Sequence, residues 1–246
     1  MKLATVEQMR EMDRRASEEC GIAEMILMEN AAHAALKVLE NQIGALAGRK
    51  ILVFCGAGNN GGDGLALARL IHSKGGSVKV FLTASPKKYT GAAKTNYEIV
   101  CNLSLDVQLL SRASEARQDI LHADAVVDAI FGTGLARDVK GLAAEVIELI
   151  NAAGKPVLSL DIPSGICGNS GRVMGAAVRA DRTVAFGLPK IGNLLYPGYE
   201  RGGRLFVSHI SFPPGLIEDE SLTVATNGRI ALPPRRAEAY KGSVGD

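Results

Sequence analysis

The sequence predicts an α/β protein: a Rossmann-like three-layer α/β/α domain with a mostly parallel central sheet, preceded by two N-terminal helices. Three observations carry this. Short, wholly apolar runs recur along the chain, as parallel strands buried on both faces require. They alternate with segments of helical period, the βαβ rhythm of a sheet covered on both sides. Three of the runs lead into loops marked by glycine-rich or carboxylate-bearing motifs, at the strand ends where open parallel sheets bind their ligands.

The elements follow in order. Residues 6–19 read as a helix, with Val6, Met9, Met12 and Ala16 on one face, and Gly21 interrupts it. A second helix is predicted over 23–41, with Met25, Met28, Ala32, Leu36 and Leu39 on one side. The first strand is 51–55 (ILVFC), and its helix is 65–73 after a glycine-rich loop. Strands at 78–82, 107–110, 125–130 and 157–160 alternate with helices at 91–103, 115–121 and 142–153. After Gly165 the pattern loosens, and 182–186 and 204–210 read as later strands joined by Gly/Pro-rich loops. Residues 1–231 thus form one domain, and 232–246 a polar, Pro-bearing tail.

Composition narrows the function classes. Hydrophobic residues at 47% and charged residues at 22% are ordinary for a globular domain, and 246 residues suffice for a sizeable core. Aromatics at 4%, no Trp and a net charge of +2 leave neither stacking platform nor basic footprint for nucleic acid. Cys20, Cys55, Cys101 and Cys167 are widely spaced, without a C-x-x-C or Cys/His ligand pattern, and read as reduced thiols. The N-terminus lacks the apolar core of a signal peptide, and no apolar run is long enough to span a bilayer. The expectation is a cytoplasmic protein with no membrane and no nucleic-acid partner.

Three loops carry the chemistry. Gly56-Ala57-Gly58-Asn59-Asn60-Gly61-Gly62-Asp63-Gly64 satisfies G-x-G-x-x-G, whose glycines let backbone approach a pyrophosphate at a helix N-terminus. The next strand ends in Leu82-Thr83-Ala84-Ser85, without the acid that grips a ribose 2′-hydroxyl, so the ordinary dinucleotide fingerprint is incomplete. A plain glycine-rich turn with Asp63 capping the helix is the alternative. In the second loop, Asp128 stands among apolar residues, costly unless paired or bound to a cation; acceptance of loop amide bonds is the alternative. In the third, Asp161 ends an apolar strand before a Pro-fixed turn, a position for a rigidly held acid or base. Asp161, Asp128 and Asn60 are expected to converge at one edge of the sheet. Lys190, alone after a turn, reads from its spacing as solvated surface.

The motifs GAGNNGGDG, DAIFGTGL, LDIPSG, ADRTVAFG (180–187) and LPKIGNLLYPG (188–198) together resemble the YjeF N-terminal domain family, the NAD(P)H-hydrate epimerases. The opening GIAEMILMENAA is similar to that family's second helix, and the resemblance covers the chain up to about Pro213. It implies a Rossmann-like fold, a homodimer, a bound potassium ion, and hydrated NADH or NADPH (NADHX, NADPHX) as substrate. The hydrate-binding residues it implies are Asn59, Asn60, Gly61, Gly62 and Asp63, then Gly132, Thr133, Gly134, Leu135, Ala136, Arg137 and Asp138, and Asp161. The implied cation ligands are Asn60, Asp128 and Ser164. The tail resembles the start of an absent ADP- or ATP-dependent hydrate dehydratase domain, the activity to which this one would be linked.

The damaged carbon is a hemiaminal, so inversion needs a group that protonates the departing oxygen and deprotonates the returning one. Asp161 is the candidate, with Lys190 expected near it to set its proton affinity or orient the carboxamide. Two rival classes are a non-catalytic nucleotide- or partner-binding protein on the same fold, and an NAD(P)-dependent oxidoreductase. Retention of Asp161 and the GNNGGDG loop disfavours the first, and the missing ribose acid disfavours the second.

Overall fold

The computed structural model describes residues 1–226. The boundary expected at 231/232 and the tail beyond it lie outside the described residues.

Two helices come first, α1 (Val6–Glu18) and α2 (Glu24–Ile43). Then follow β1 (Lys50–Cys55), α3 (Asn59–Ser73), β2 (Ser77–Leu82), α4 (Gly91–Asn102), β3 (Asp106–Leu109), α5 (Arg117–Leu121), β4 (Ala125–Ala129), α6 (Leu142–Ala152) and β5 (Val157–Leu160). The last third holds β6 (Arg182–Phe186), the short helices α7 (Ile191–Leu194) and α8 (Gly198–Arg201), β7 (Arg204–Ser208) and the short α9 (Pro214–Ile217). The seven strands form one sheet in the order β3-β2-β1-β4-β5-β6-β7, and every pair is parallel. The sheet grows outward from β1 through β2 to β3, then resumes on the other side of β1 with β4. That reversal opens a crevice beyond the carboxyl ends of β1 and β4.

Residue alternation along the strands sorts the core into two faces. Ile51, Val53 and Cys55 of β1 and Ala125, Val127 and Ala129 of β4 pack with α1 to α4. Leu52 and Phe54 of β1 and Val126 of β4 pack with Ile120 of α5 and Val146, Ile147 and Ile150 of α6. Phe54 and Phe81 stack at 5.1 Å on that second face. Burying each large apolar side chain stabilises the fold by about 1.5–3 kcal/mol. The edge strands are less buried, and charge guards them. Lys79 pairs with Asp106 and Asp119 near β3, and Arg182 and Arg204 lie over the Phe206 ring in β7.

The main departure from the expected elements is the start of α3. It begins at Asn59, six residues before the predicted 65, so most of the glycine-rich segment is helix. Glycine costs about 1 kcal/mol relative to alanine in a helix, which is why composition reads as loop. Packing sets the requirement instead. A Cβ on Gly61 would stand 1.9 Å from the Gly56 carbonyl oxygen, and one on Gly64 would stand 2.6 Å from the Ala129 Cβ. Asp63 is therefore inside the helix, and Gly58 takes the N-cap position without a side-chain cap.

The N-terminus is stitched to the far side of the crevice. Ala4 donates to the Pro189 carbonyl at 3.0 Å, Ile191 donates back to Ala4 at 3.1 Å, and Leu3 donates to Val224 at 2.9 Å. A capping box between Thr5 and Gln8 then starts α1, and Asn169 accepts from the Val6 amide at 2.7 Å. So α1 is held against the segment that carries Lys190.

Candidate active site

A cleft of about 830 Å³ lies over the crevice. Its floor is made by the ends of the strands: Ala57 to Asn60 and Asp63 after β1, Ile130 to Leu135 after β4, Asp161 after β5, and Phe186 and Lys190 after β6. Met9, Arg10, Asp13, Arg14 and Ser17 of α1 supply a wall, and Glu24, Leu27, Met28 and Ala31 of α2 supply more of it.

Asp161 sits at the carboxyl end of β5 with φ +68°, a left-handed conformation uncommon for residues other than glycine and tolerated best by Asn and Asp. Its surroundings over-determine this turn. The Asp161 amide donates to Val184 at 2.7 Å, and Asn193 Nδ2 donates to the Asp161 carbonyl at 3.3 Å. The Phe186 amide donates to Asp161 Oδ1 at 3.3 Å. Lys190 Nζ donates to the same oxygen and, at 2.9 Å, to the Phe186 carbonyl. Lys190 is 1% exposed, so the surface lysine expected from its spacing is corrected: it is a buried cation paired with Asp161. A lone lysine in a loop carries no mark of burial. What buries this one is the partner carboxylate and the N-terminal segment laid over it.

Asp128 lies fully buried at the floor. It accepts from Ser159 Oγ at 2.8 Å, from the Ser164 amide at 2.9 Å, from Ser164 Oγ, and from the Ile130 amide at 3.3 Å. Burial pushes its carboxyl above the usual range, and these four bonds pull it back. Ser164 Oγ also accepts from the Phe131 amide at 2.8 Å, which ties the β4 and β5 loops together. Asn60 is buried in the first turn of α3, and neither its Oδ1 nor its Nδ2 finds a hydrogen-bond partner among the described residues. A Cβ on Gly132 would stand 3.3 Å from the Asn60 side chain, so Asn60 abuts the same β4 loop.

The remaining expected residues divide. Asn59, Asn60, Asp63, Gly132, Thr133, Gly134 and Leu135 line the cleft. Gly61 and Gly62 are packed behind its wall, and Ala136, Arg137 and Asp138 run on as exposed chain beyond its lining. Sequence reading missed Asp13 and Glu24. Asp13 shares one helical stripe with Arg10, Arg14 and Ser17, a pattern that ordinarily marks a solvated face. Glu24 accepts from Asn59 Nδ2 at 2.9 Å and so ties α2 to the start of α3.

The carboxylates of the cleft act on one another. Burial pushes Asp63 well above the usual carboxylate range, the negative charges of Asp161, Asp13 and Glu24 add to this, and Lys190 opposes it. The cleft walls crowd Asp13 although its surface reaches solvent; this pushes its carboxyl up to about 6, opposed by Lys190 and aided by Asp161 and Glu24.

Fold and cleft together define a doubly wound α/β protein whose site lies at the switch point of its sheet, with a buried Asp–Lys pair on its floor. Residues 24–192 match the family described as YjeF-related protein N-terminus, and the chain belongs to that family. It is 48% identical over 247 aligned residues to the "Bifunctional NAD(P)H-hydrate repair enzyme Nnr" of Thermofilum pendens, covering 100% of this chain and 47% of that protein. It is 39% identical to the "NAD(P)H-hydrate epimerase" of Limosilactobacillus fermentum, covering 83% of this chain and 94% of that one. The chain thus spans about half the length of the bifunctional relatives it matches. The crystal structure of yeast ynu0 has the same fold, with a TM-score of 0.70 at 22% identity over 79% of this chain and 84% of that one. The family resemblance carried by the motifs is borne out, and so is the parallel α/β architecture.

Proposed function

We propose that this chain interconverts the R and S epimers of hydrated NADH and NADPH. The observation that carries the reading is the Asp161–Lys190 pair, buried at the end of β5 and lining the cleft at the switch point of the sheet. Relatives that this chain covers almost end to end are named for that epimerisation. Asp161 is a carboxylate on a rigid strand end, able to exchange a proton with the oxygen on the hemiaminal carbon. Lys190 fixes its orientation and keeps its charge balanced. Arg10 at the cleft wall suits a substrate with a negatively charged pyrophosphate. The partner activity is an ADP- or ATP-dependent dehydratase that consumes one epimer. The decisive assay supplies the unreactive epimer together with such a dehydratase and follows NADH recovery. Faster recovery with this protein supports the reading; no acceleration overturns it, and hydride transfer instead would favour an oxidoreductase.

The residues also fit a potassium ion. Asn60 holds a buried amide oxygen with no partner among the described residues and abuts the loop after β4, and Asp128, in β4, is bonded to Ser164 in the loop after β5. A single carboxylate among neutral oxygens is a donor set for a hard cation of low charge. When bound, the ion supplies electrostatic stabilisation of the loops and of substrate phosphates. Asn60, Asp128 and Ser164 would hold it, joining the β1, β4 and β5 loops. Adding potassium chloride in place of lithium chloride at equal ionic strength is expected to raise the melting temperature, and Asn60→Leu to abolish that difference. An equal response in wild type and variant would leave Asp128 as a hydrogen-bonded loop cluster only.

A further inference from the structure

We propose that Asp13, on the N-terminal helix, is the second proton-transfer residue of the cleft, serving the face of the substrate ring opposite Asp161. The inference rests on the epimerase reading above.

Inversion by loss and return of water places two different oxygens on opposite faces of one flat ring. A carboxylate locked on a strand end, as Asp161 is by three hydrogen bonds to its side chain and carbonyl, meets only one of those faces well. Enzymes that invert a sugar carbon meet the same demand with two carboxyl groups about 6.5–9.5 Å apart on either side of the reacting bond. Here the cleft is walled by α1 and floored by the strand ends, and its wall offers a carboxyl group at Asp13. Asp13 makes no hydrogen bond or ion pair among the described residues, whereas its neighbour Arg14 is engaged by Glu11 and Glu18. The helix that carries it is anchored to the segment bearing Lys190, through Ala4, Pro189 and Ile191, so wall and floor are held in register. The groups that face Asp13 are Lys190, Asp161 and Glu24, with Asp63 beside them; crowding and the two negative charges hold its proton to about pH 6, which suits a donor near neutrality.

The steps balance without a redox partner. On one face the protonated Asp13 carboxyl gives its proton to the hydroxyl on the hemiaminal carbon. The C–O bond breaks with its pair leaving on oxygen, water departs, and the ring nitrogen lone pair forms the C=N bond of an iminium. On the other face a water oxygen bonds to that carbon, the C=N pair returns to nitrogen, and the proton shed by the water passes to the Asp161 carboxylate. The reverse direction exchanges the two roles.

The test follows oxygen as well as configuration. Each purified epimer is incubated in ¹⁸O-water with wild type, Asp13→Asn or Asp161→Asn, and the epimers are separated and weighed, with circular dichroism confirming the fold. Wild type is expected to invert and incorporate ¹⁸O together. Asp13→Asn should lower inversion by ~10²-fold or more while one epimer still exchanges its oxygen with retention; in Asp161→Asn the other epimer should do so. Asp13→Ala should recover inversion on addition of formate. Inversion within a few-fold of wild type in Asp13→Asn overturns the proposal, and so does an equal loss of exchange and inversion from both epimers. Wild-type inversion without ¹⁸O uptake overturns it in favour of ring opening and leaves the epimerase reading standing. Absence of any interconversion by wild type would fail that reading itself.

Discussion

Asp161 and Lys190 are coupled so tightly that neither can be changed alone without a structural consequence. Removing one partner of a buried pair leaves an uncompensated charge and costs about 3–5 kcal/mol. Asp161→Asn is therefore expected to lower both epimerisation, by ~10²–10⁴-fold, and resistance to urea, because Lys190 Nζ would keep the Phe186 carbonyl and an amide as its acceptors. Adding Lys190→Met to that variant should restore much of the stability and none of the activity. Urea titrations of the single and double variants decide the point; a single variant as stable as wild type would show that the pair is solvated in solution. Lys190→Ala alone should slow the reaction and destabilise the protein, since it strands the Asp161 carboxylate in a site with 11% side-chain exposure.

At the scale of elements, α3 places the Asn59–Asp63 motif by lying close on β1 and β4. A Cβ on Gly64 would meet Ala129 Cβ at 2.6 Å and Cys55 Sγ at 2.9 Å, atoms of a sheet that cannot retreat. Gly64→Ala should gain about 1 kcal/mol of helix propensity and lose about 1–3 kcal/mol to overpacking, with a net loss of stability and activity as Asn60 and Asp63 are lifted from the floor. Gly134→Ala, with open space around its Cβ position, is the control and should leave the unfolding free energy from urea titration within ~0.5 kcal/mol of wild type. Equal midpoints for the two variants would mean that α3 is free to shift. Strand positions and helix faces were legible in apolar runs and their spacing, whereas the reversal of strand order at β1 is seen only in the structure. The start of α3 was not, because its glycines answer to a neighbouring sheet rather than to their own propensity.

For the whole molecule, the crowded carboxylates make stability depend on pH in a definite direction. Asp63 and Asp13 bind protons more tightly in the folded chain than in the unfolded chain, where an Asp titrates near 3.8. Between that value and the folded ones the native state holds more protons, so their contribution to stability is fully present below about pH 4 and is lost as pH rises through about 6 for Asp13 and through the raised folded value of Asp63. Asp63→Asn should accordingly match wild type at pH 4 and exceed it in melting temperature increasingly towards pH 8. A difference that stays constant across the range would show that Asp63 titrates normally.

The sequence by itself determined the layered fold, the three loops that meet at the crevice, with Asp161, Asp128 and Asn60 as the polar residues in or beside them, and the family. These are written in local patterns: period-2 and helical hydrophobicity, turn residues, and carboxylates out of place in apolar strands. Tertiary structure alone decided that Lys190, expected near Asp161, is buried, and that Asp13 faces the same cleft. Both residues sit in stretches whose local pattern is that of ordinary surface. Their environment is made by partners far along the chain, Asp161 and the Ala4 segment for Lys190 and the strand ends for α1. No window of neighbouring residues records that packing, because burial of a charge is a property of what the rest of the chain brings to it.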